Sequence, residues 1–334
     1  MRKGLRQVQQ TMNETKSLTS VTKGYAWMCV AVLIWASWLV LTSAGRTTAL
    51  SVIDLAGFRA LVPAIVLAPV LWRQRRDVIA LGLVRCLLLS AYGAPFTLLV
   101  GYGLGFAPVA HAGALVPGLM PVFASILTFA FMGQRVTVRQ VIATLLILLG
   151  AVALLLQASH GPVLEQMWIG HALFLAGAVC WACFAVTMRA SDIPPFLATA
   201  IVAAISAVVL LPVWVLSDLS ELNTALRGDI VFQAVFQGLI AGLLSLFAFG
   251  QALRLIGGQA TVLSALTPGV AAFLAMPVLG QIPDRVDLFA LTVVVAGLII
   301  RATASSETLA DIPPSSRPDV STTVQKPLPR QEPY

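Results

Sequence analysis

The chain has 334 residues, of which 58% are hydrophobic and 10% charged, with a formal net charge of +7 and a mean hydropathy of +0.91. Soluble domains carry about 25% charged residues, so this composition excludes a water-soluble enzyme and makes the bilayer the solvent for most of the surface. The basic excess does not by itself indicate nucleic acid, because cytoplasmic membrane loops collect the same residues.

Residues 1–23 are polar and basic, with Arg2, Lys3, Arg6, Lys16 and Lys23, and read as an N-terminal segment outside the bilayer. The first apolar run, Gly24 to Ser43, is long enough to cross about 30 Å of hydrocarbon as a helix and too long for the apolar region of a secretory signal. Further runs follow at 52–72, 80–105, 110–132, 140–156, 168–188, 195–216, 230–253, 261–279 and 286–301, which makes ten predicted spans. They are continuous rather than alternating, and each must satisfy its own backbone hydrogen bonds in lipid, so they are predicted to be helices. Residues 157–167 read as a linker. From 302 to 334 the composition turns to prolines (Pro313, Pro314, Pro318, Pro327, Pro329, Pro333) among Ser, Thr and charges, which predicts a disordered cytoplasmic tail. Cys29, Cys86, Cys180 and Cys183 lie inside apolar runs and imply no disulfide framework.

Alternate loops differ in Lys and Arg. One side holds the five N-terminal residues with Arg73, Arg75, Arg76, Arg85, Arg135, Arg139, Arg189 and Arg254, and the other only Arg46, Arg227 and Arg285. Both termini are therefore expected in the cytoplasm and the protein in the inner (plasma) membrane, and the basic charge is accounted for without a nucleic-acid partner.

The chain also repeats itself. Gly24, Trp35 and Ala36 recur at a shift of 146 as Gly170, Trp181 and Ala182. Gly103, Pro121, Gly133, Gln134 and Gly150 recur at a shift of 147 as Gly250, Pro268, Gly280, Gln281 and Gly297. Each half holds five spans, and an odd number makes the second half enter the membrane from the opposite side. The predicted fold is an all-α integral membrane protein of ten transmembrane helices, built as two inverted five-helix repeats at 24–156 and 168–301, an architecture common among secondary transporters.

The stretches Gly24-Tyr25-Ala26-Trp27, Ile34-Trp35-Ala36, Gly57-Phe58-Arg59-Ala60-Leu61, Pro121 with Gly133-Gln134-Arg135-Val136-Thr137, and Leu148-Leu149-Gly150 stand at the centre of a wider likeness. Over residues 24 to 301 the chain resembles the drug/metabolite transporter superfamily, specifically its EamA-type ten-helix members. The resemblance implies a basket of two inverted halves around a central cavity serving alternating access, with amino acids or related metabolites as the preferred solutes. It departs from the family at Met132-Gly133-Gln134 and Leu279-Gly280-Gln281, where relatives usually have Leu-Gly-Glu.

Several residues are candidates for the site. Arg59 lies about 10 Å into span 2, where a guanidinium must meet a carboxylate, backbone carbonyls or a substrate anion; a structural pair with Asp54 and a substrate contact are both open. Asp54 could couple transport to protons or serve as a helix-start residue. Trp35 and Trp38 share a face of span 1, and Trp181 with Phe184 repeats the arrangement on span 6, so both pairs could line a central cavity. Gln251, beside Gly250, is a candidate hydrogen-bonding residue. Gly93 and Pro95 interrupt span 3 and predict a hinge. The small four-helix multidrug relatives, which resemble one half, use a membrane-embedded Glu in their first helix; spans 1 and 6 here have no acid. His111, His160 and His171 fall near span ends without metal-ligand spacing and read as interfacial. Cys180-Trp181-Ala182-Cys183 formally matches a redox pattern but lacks its βαβ context.

These residues favour a secondary transporter for a small organic solute; an intramembrane lipid-modifying enzyme and a scramblase are the alternatives. No nucleotide-binding loop of the G-x-x-x-x-G-K-[ST] type occurs. No cofactor or metal is expected, the partners are the solute and membrane lipid, and self-association as a homodimer is left open.

Overall fold

In hydrocarbon an apolar run can satisfy its backbone only by hydrogen bonding to itself, and in the computed structural model ten helical spans are long and apolar enough to cross a membrane. The structure describes residues 2–133, 137–157, 166–191 and 193–310, with side chains between 20 and 303 apart from residues 132 and 157. In chain order they are span 1 (Ser20–Gly45), span 2 (Val52–Arg73), span 3 (Leu83–Gly103), span 4 (Val109–Phe131), span 5 (Val138–Leu156), span 6 (Met167–Ser191), span 7 (Pro195–Leu216), span 8 (Arg227–Ile256), span 9 (Gly258–Leu279) and span 10 (Arg285–Thr303). They coincide with the ten apolar runs. An even number of crossings returns the chain to its starting face, and five per half turns the second repeat over relative to the first.

The repeats interlock through equivalent contacts. Span 2 packs along span 7, span 1 along span 8 and span 6 along span 3. Spans 5 and 10 approach most intimately at two repeat mates: a Cβ at Gly150 would stand 2.8 Å from the Ala290 carbonyl oxygen, and one at Gly297 would stand 2.9 Å from that of Ala143. Small residues at such crossings let two helix backbones touch, which replaces the hydrophobic driving force that lipid cannot supply.

Two spans leave the regular α pattern. Span 3 divides into Leu83–Ser90 and Ala94–Gly103, with Pro95 in the first turn of the second piece, where its missing N–H removes no bond. The Ala94 N–H freed by the break donates to Ser206 Oγ of span 7 at 2.9 Å. Span 8 runs as Arg227–Gln233, a wider π-helical segment Ala234–Leu244, and Ser245–Ile256. The repeat shift of 147 carries Gly93 onto Ile240, inside that segment. Both repeats thus interrupt their third helix at the same place, and the interruption expected at Gly93 and Pro95 takes the form of a break.

The end helices outrun the sequence reading. The first begins at Arg2 and the last continues to Ala310, because neither flank contains a proline to stop it before Pro313. The remainder of the expected tail, residues 134–136 and most of the linker, including His160, lie outside the described residues.

At Gly93 an added methyl group would sit 1.9 Å from Ser206 Oγ and 3.0 Å from a Val202 methyl carbon. Gly93→Ala is therefore expected to destabilise the folded protein by about 1–3 kcal/mol, read as a lower thermal transition in detergent, with Gly93→Ala/Ser206→Ala recovering part of the loss.

Candidate solute site

Span 1 and the break in span 3 bring their aromatic side chains together near the middle of the bundle. Trp38 of span 1 stacks on Phe96 at 5.5 Å between ring centroids and 20° between planes. Tyr92, at the turn before the second half of span 3, lies 4.7 Å from Phe96, 4.8 Å from Phe184 and 5.8 Å from Trp181. Phe96 and Trp181 meet edge to face at 6.0 Å. Spans 1 and 3 of one repeat and span 6 of the other thus supply a single aromatic enclosure.

Arg59 of span 2 points into it. Its guanidinium lies 4.7 Å from the Trp38 ring centroid, with the Tyr92 side chain as its electrostatic and hydrogen-bonding neighbour, and its Nη1 is buried without a hydrogen-bond partner. A cation over an aromatic face gains about 0.5–2 kcal/mol, which does not replace the hydrogen bonds a guanidinium has in water. The pairing with Asp54 does not occur: among the described residues, the one salt bridge joins His111 to Asp287.

Asp54 instead begins span 2. Its Oδ2 accepts from Ser51 N at 2.9 Å, Ser51 Oγ at 2.9 Å and Glu221 N at 3.1 Å. Its Oδ1 accepts from Trp214 Nε1 and Ser220 Oγ, each at 2.7 Å. The Ser51 hydroxyl in turn receives the Asp54 N–H, completing a reciprocal cap. Five donors on one buried carboxylate match the helix-start reading, and they tie the first repeat to the end of span 7.

A polar ladder from span 8 meets the Trp38 ring. Trp38 Nε1 donates to Gln237 Oε1 at 3.0 Å, and Gln237 Nε2 donates to Thr42 Oγ1 at 3.2 Å and Gln233 Oε1 at 3.1 Å. Gln233 Nε2 donates to the Leu41 carbonyl at 3.1 Å. This ladder fixes the Trp38 ring, and with it the surface beneath Arg59.

Of the residues expected at a site, Arg59, Trp38 and Trp181 come together. Trp35 does not join them: it packs against Phe249 at 5.3 Å in a separate cluster with Met28, Ala31, Val32, Ala248, Ala252 and Ala260. Gln251, on span 8, is half-buried and makes no hydrogen bond to any described residue. Sequence reasoning missed Tyr92 and Phe96; the signal for Tyr92 was its place beside the break at Gly93. It read His111 and His171 as interfacial at span ends; they do stand at span ends, but neighbouring helices bury them there together with Asp287. The four cysteines are free thiols, and among the described residues no His, Cys, Asp and Glu group is arranged to hold a metal ion.

Inverted five-helix repeats that meet along shared aromatic and polar side chains are an architecture of many membrane transporters. The model of the EamA-like transporter family matches the chain twice, over residues 22–156 and 168–303, and the chain belongs to that family. A solved crystal structure, described only as that of a protein, aligns over 87% of this chain and 98% of its own with a TM-score of 0.54 and 18% identity, a likeness of fold. No curated protein matches.

Asp54→Asn keeps the shape but replaces an acceptor oxygen by an amide that must itself donate. At least one of Trp214, Ser220 and Ser51 then loses its acceptor, and a stability loss of about 1–3 kcal/mol is expected. Thermal unfolding in detergent measures it, and an unchanged transition would contradict the structural tie.

Proposed function

We propose that the chain is a secondary transporter that moves a small organic solute bearing a carboxylate, an amino acid or related metabolite, across the cytoplasmic membrane by alternating access of the central site. The observation that carries this reading is the Arg59 Nη1, buried and unpartnered above Trp38. A charged side chain held in the membrane costs at least about 2.5 kcal/mol on insertion scales, and a carboxylate supplies both the missing acceptor and the opposite charge. Trp38, Tyr92, Phe96, Trp181 and Phe184 give the apolar body of such a solute surfaces to stack on. Gln251, with its amide unbonded, is a further candidate contact, and Trp35 a candidate on the same helix as Trp38.

The inverted repeats support the alternation, since rocking one half against the other exposes a fixed central site to each face in turn. The breaks in spans 3 and 8 stand beside that site, and Gly93 and Pro95 are the candidate hinge. A lipid-modifying enzyme would need an acid–base pair or nucleophile near the substrate, and the residues gathered round Arg59 are aromatic, amide and apolar.

The loop charges support termini in the cytoplasm. Cysteines introduced at Ser17 and Ser315, in a background without the native four, are expected to resist an impermeant thiol reagent applied to intact cells and to react after permeabilisation. Labelling of either from outside overturns the orientation.

The binding role is tested by saturable uptake of candidate carboxylate solutes into proteoliposomes. Arg59→Lys keeps the charge and loses the two-pronged geometry, so apparent affinity is expected to weaken about tenfold or more, about 1.4 kcal/mol. Arg59→Ala should abolish uptake without lowering thermal stability, because no partner charge is left uncompensated. Unchanged affinity in a stable Arg59→Ala protein overturns the reading.

A further inference from the structure

Three titratable side chains from three spans meet in a row at one end of the bundle. Asp287 of span 10 Oδ1 lies 2.7 Å from His111 Nε2 of span 4, and His111 Nδ1 lies 2.7 Å from His171 Nε2 of span 6. All three are buried, and His171 Nδ1, the far end of the row, has no partner. His111 belongs to the first repeat and the other two to the second, so the row crosses the seam along which alternating access must open. By the loop charges this is the outer end.

Asp287 Oδ2 accepts the Asp284 N–H at 3.0 Å. With Asp287 ionised and both imidazoles neutral, His111 Nε2 donates to Oδ1, its Nδ1 accepts, and His171 Nε2 is the donor to it. His171 Nδ1 is left as a bare lone pair, and the row carries one negative charge. One added proton makes it neutral. Whether that proton charges the His171 ring or passes along the row to charge His111, it leaves an N–H on His171 Nδ1, where no acceptor exists. A buried donor without an acceptor disfavours the closed arrangement and is relieved when water enters.

The opposite end of the bundle holds the repeat's own control. A shift of 146 relates His171 to Tyr25 and one of 147 relates Asp287 to Gln140, while His111 falls on Gly258, the residue before Gln259. Tyr25 Oη donates to Gln259 Oε1 at 2.7 Å, so a phenol and an amide bridge the same seam there. Gln140 caps span 5 through Thr137, as Asp287 caps span 10 through Asp284.

Among the described residues, few other groups bear on the outer row. Arg46, after span 1, donates to the carbonyls of Gly101 and Tyr102 at 2.7 and 2.9 Å. Tyr102 stands at the end of span 3, and Asp284 and Arg285 are exposed at the head of span 10. Spans 5 and 9 bring no titratable residue to this end.

The geometry points to His111, His171 and Asp287 as a proton-binding latch between the repeats, closed while it lacks one proton and opened to the outside when that proton binds. The inference rests on the carrier reading for its use, as the point where transport couples to protons.

The full chain in lipid nanodiscs, labelled with ¹⁵N-histidine, gives three histidines to resolve, with His160 as internal reference. The His111 and His171 signals are expected to change together over a single protonation step, and Asp287→Asn to displace that step by about one pH unit or more towards acid. Spin labels at Thr47 and Ile282, in a cysteine-free background, read the gap between the repeats at the outer end. Their distance should lengthen as pH is lowered through the protonation step that the ¹⁵N signals report, and hold constant in His111→Gln. Independent titration of the two rings, or a wild-type distance that is the same on both sides of that step, overturns the proposal even where a variant fails to fold. Neither measurement uses a solute, so failed uptake removes the carrier reading alone, while a pH-insensitive latch removes this inference alone.

Discussion

A polar group in hydrocarbon has no water to fall back on, and the interior of this protein is organised by where each such group finds its partner. Asp54 gathers five donors at the head of span 2. Gln233 and Gln237 bond to each other and to span 1. The Ala94 N–H, released by the broken helix, is met by a serine from the other repeat. Among the buried side-chain atoms without a partner are Arg59 Nη1 and His171 Nδ1, and the proposed solute site and the proposed proton latch each start from one of them.

The inverted repeat supplies the frame for that contrast, and its departures from symmetry carry the specialisation. Spans 5 and 10 retain matched glycines at their crossing, which preserves the packing. Spans 3 and 8 both interrupt the α-helix at the equivalent depth, yet one does so with a clean break and the other with wide turns. The central site takes Trp38 from one repeat but Trp181 and Phe184 from the other. A duplicated scaffold gives two equivalent faces, and substitution at mates makes the faces chemically different.

Much of this was legible in the residues. Run length and continuity gave the ten spans, constant spacing of Gly, Trp and Pro gave the repeat, and depth along span 2 singled out Arg59. What stayed hidden is lateral. Position along a helix follows from counting residues at 1.5 Å each, but which neighbour covers a side chain depends on how ten helices pack. His111 and Asp287 each open their span, so by depth they read as interfacial; overlap of spans 4, 6 and 10 buries them. The pairing of Arg59 with Asp54 failed for the same reason, since proximity on one helix said nothing of the donors that span 7 and its following turn bring to the acid. Tyr92 was hidden inside an apolar run, and only the break beside it turns its ring towards span 6.

Arg59 also has an electrical consequence. A fixed cation without a counter-ion sits within the field across the membrane, where one elementary charge crossing the full potential is worth about 2.3 kcal/mol per 100 mV. In the proposed cycle, movement of Arg59 relative to that field would make the empty protein work with or against the voltage. A bound carboxylate would cancel that charge, leaving the proton on the outer row as the other charge the field acts on. The two halves of such a cycle would then respond differently to membrane potential.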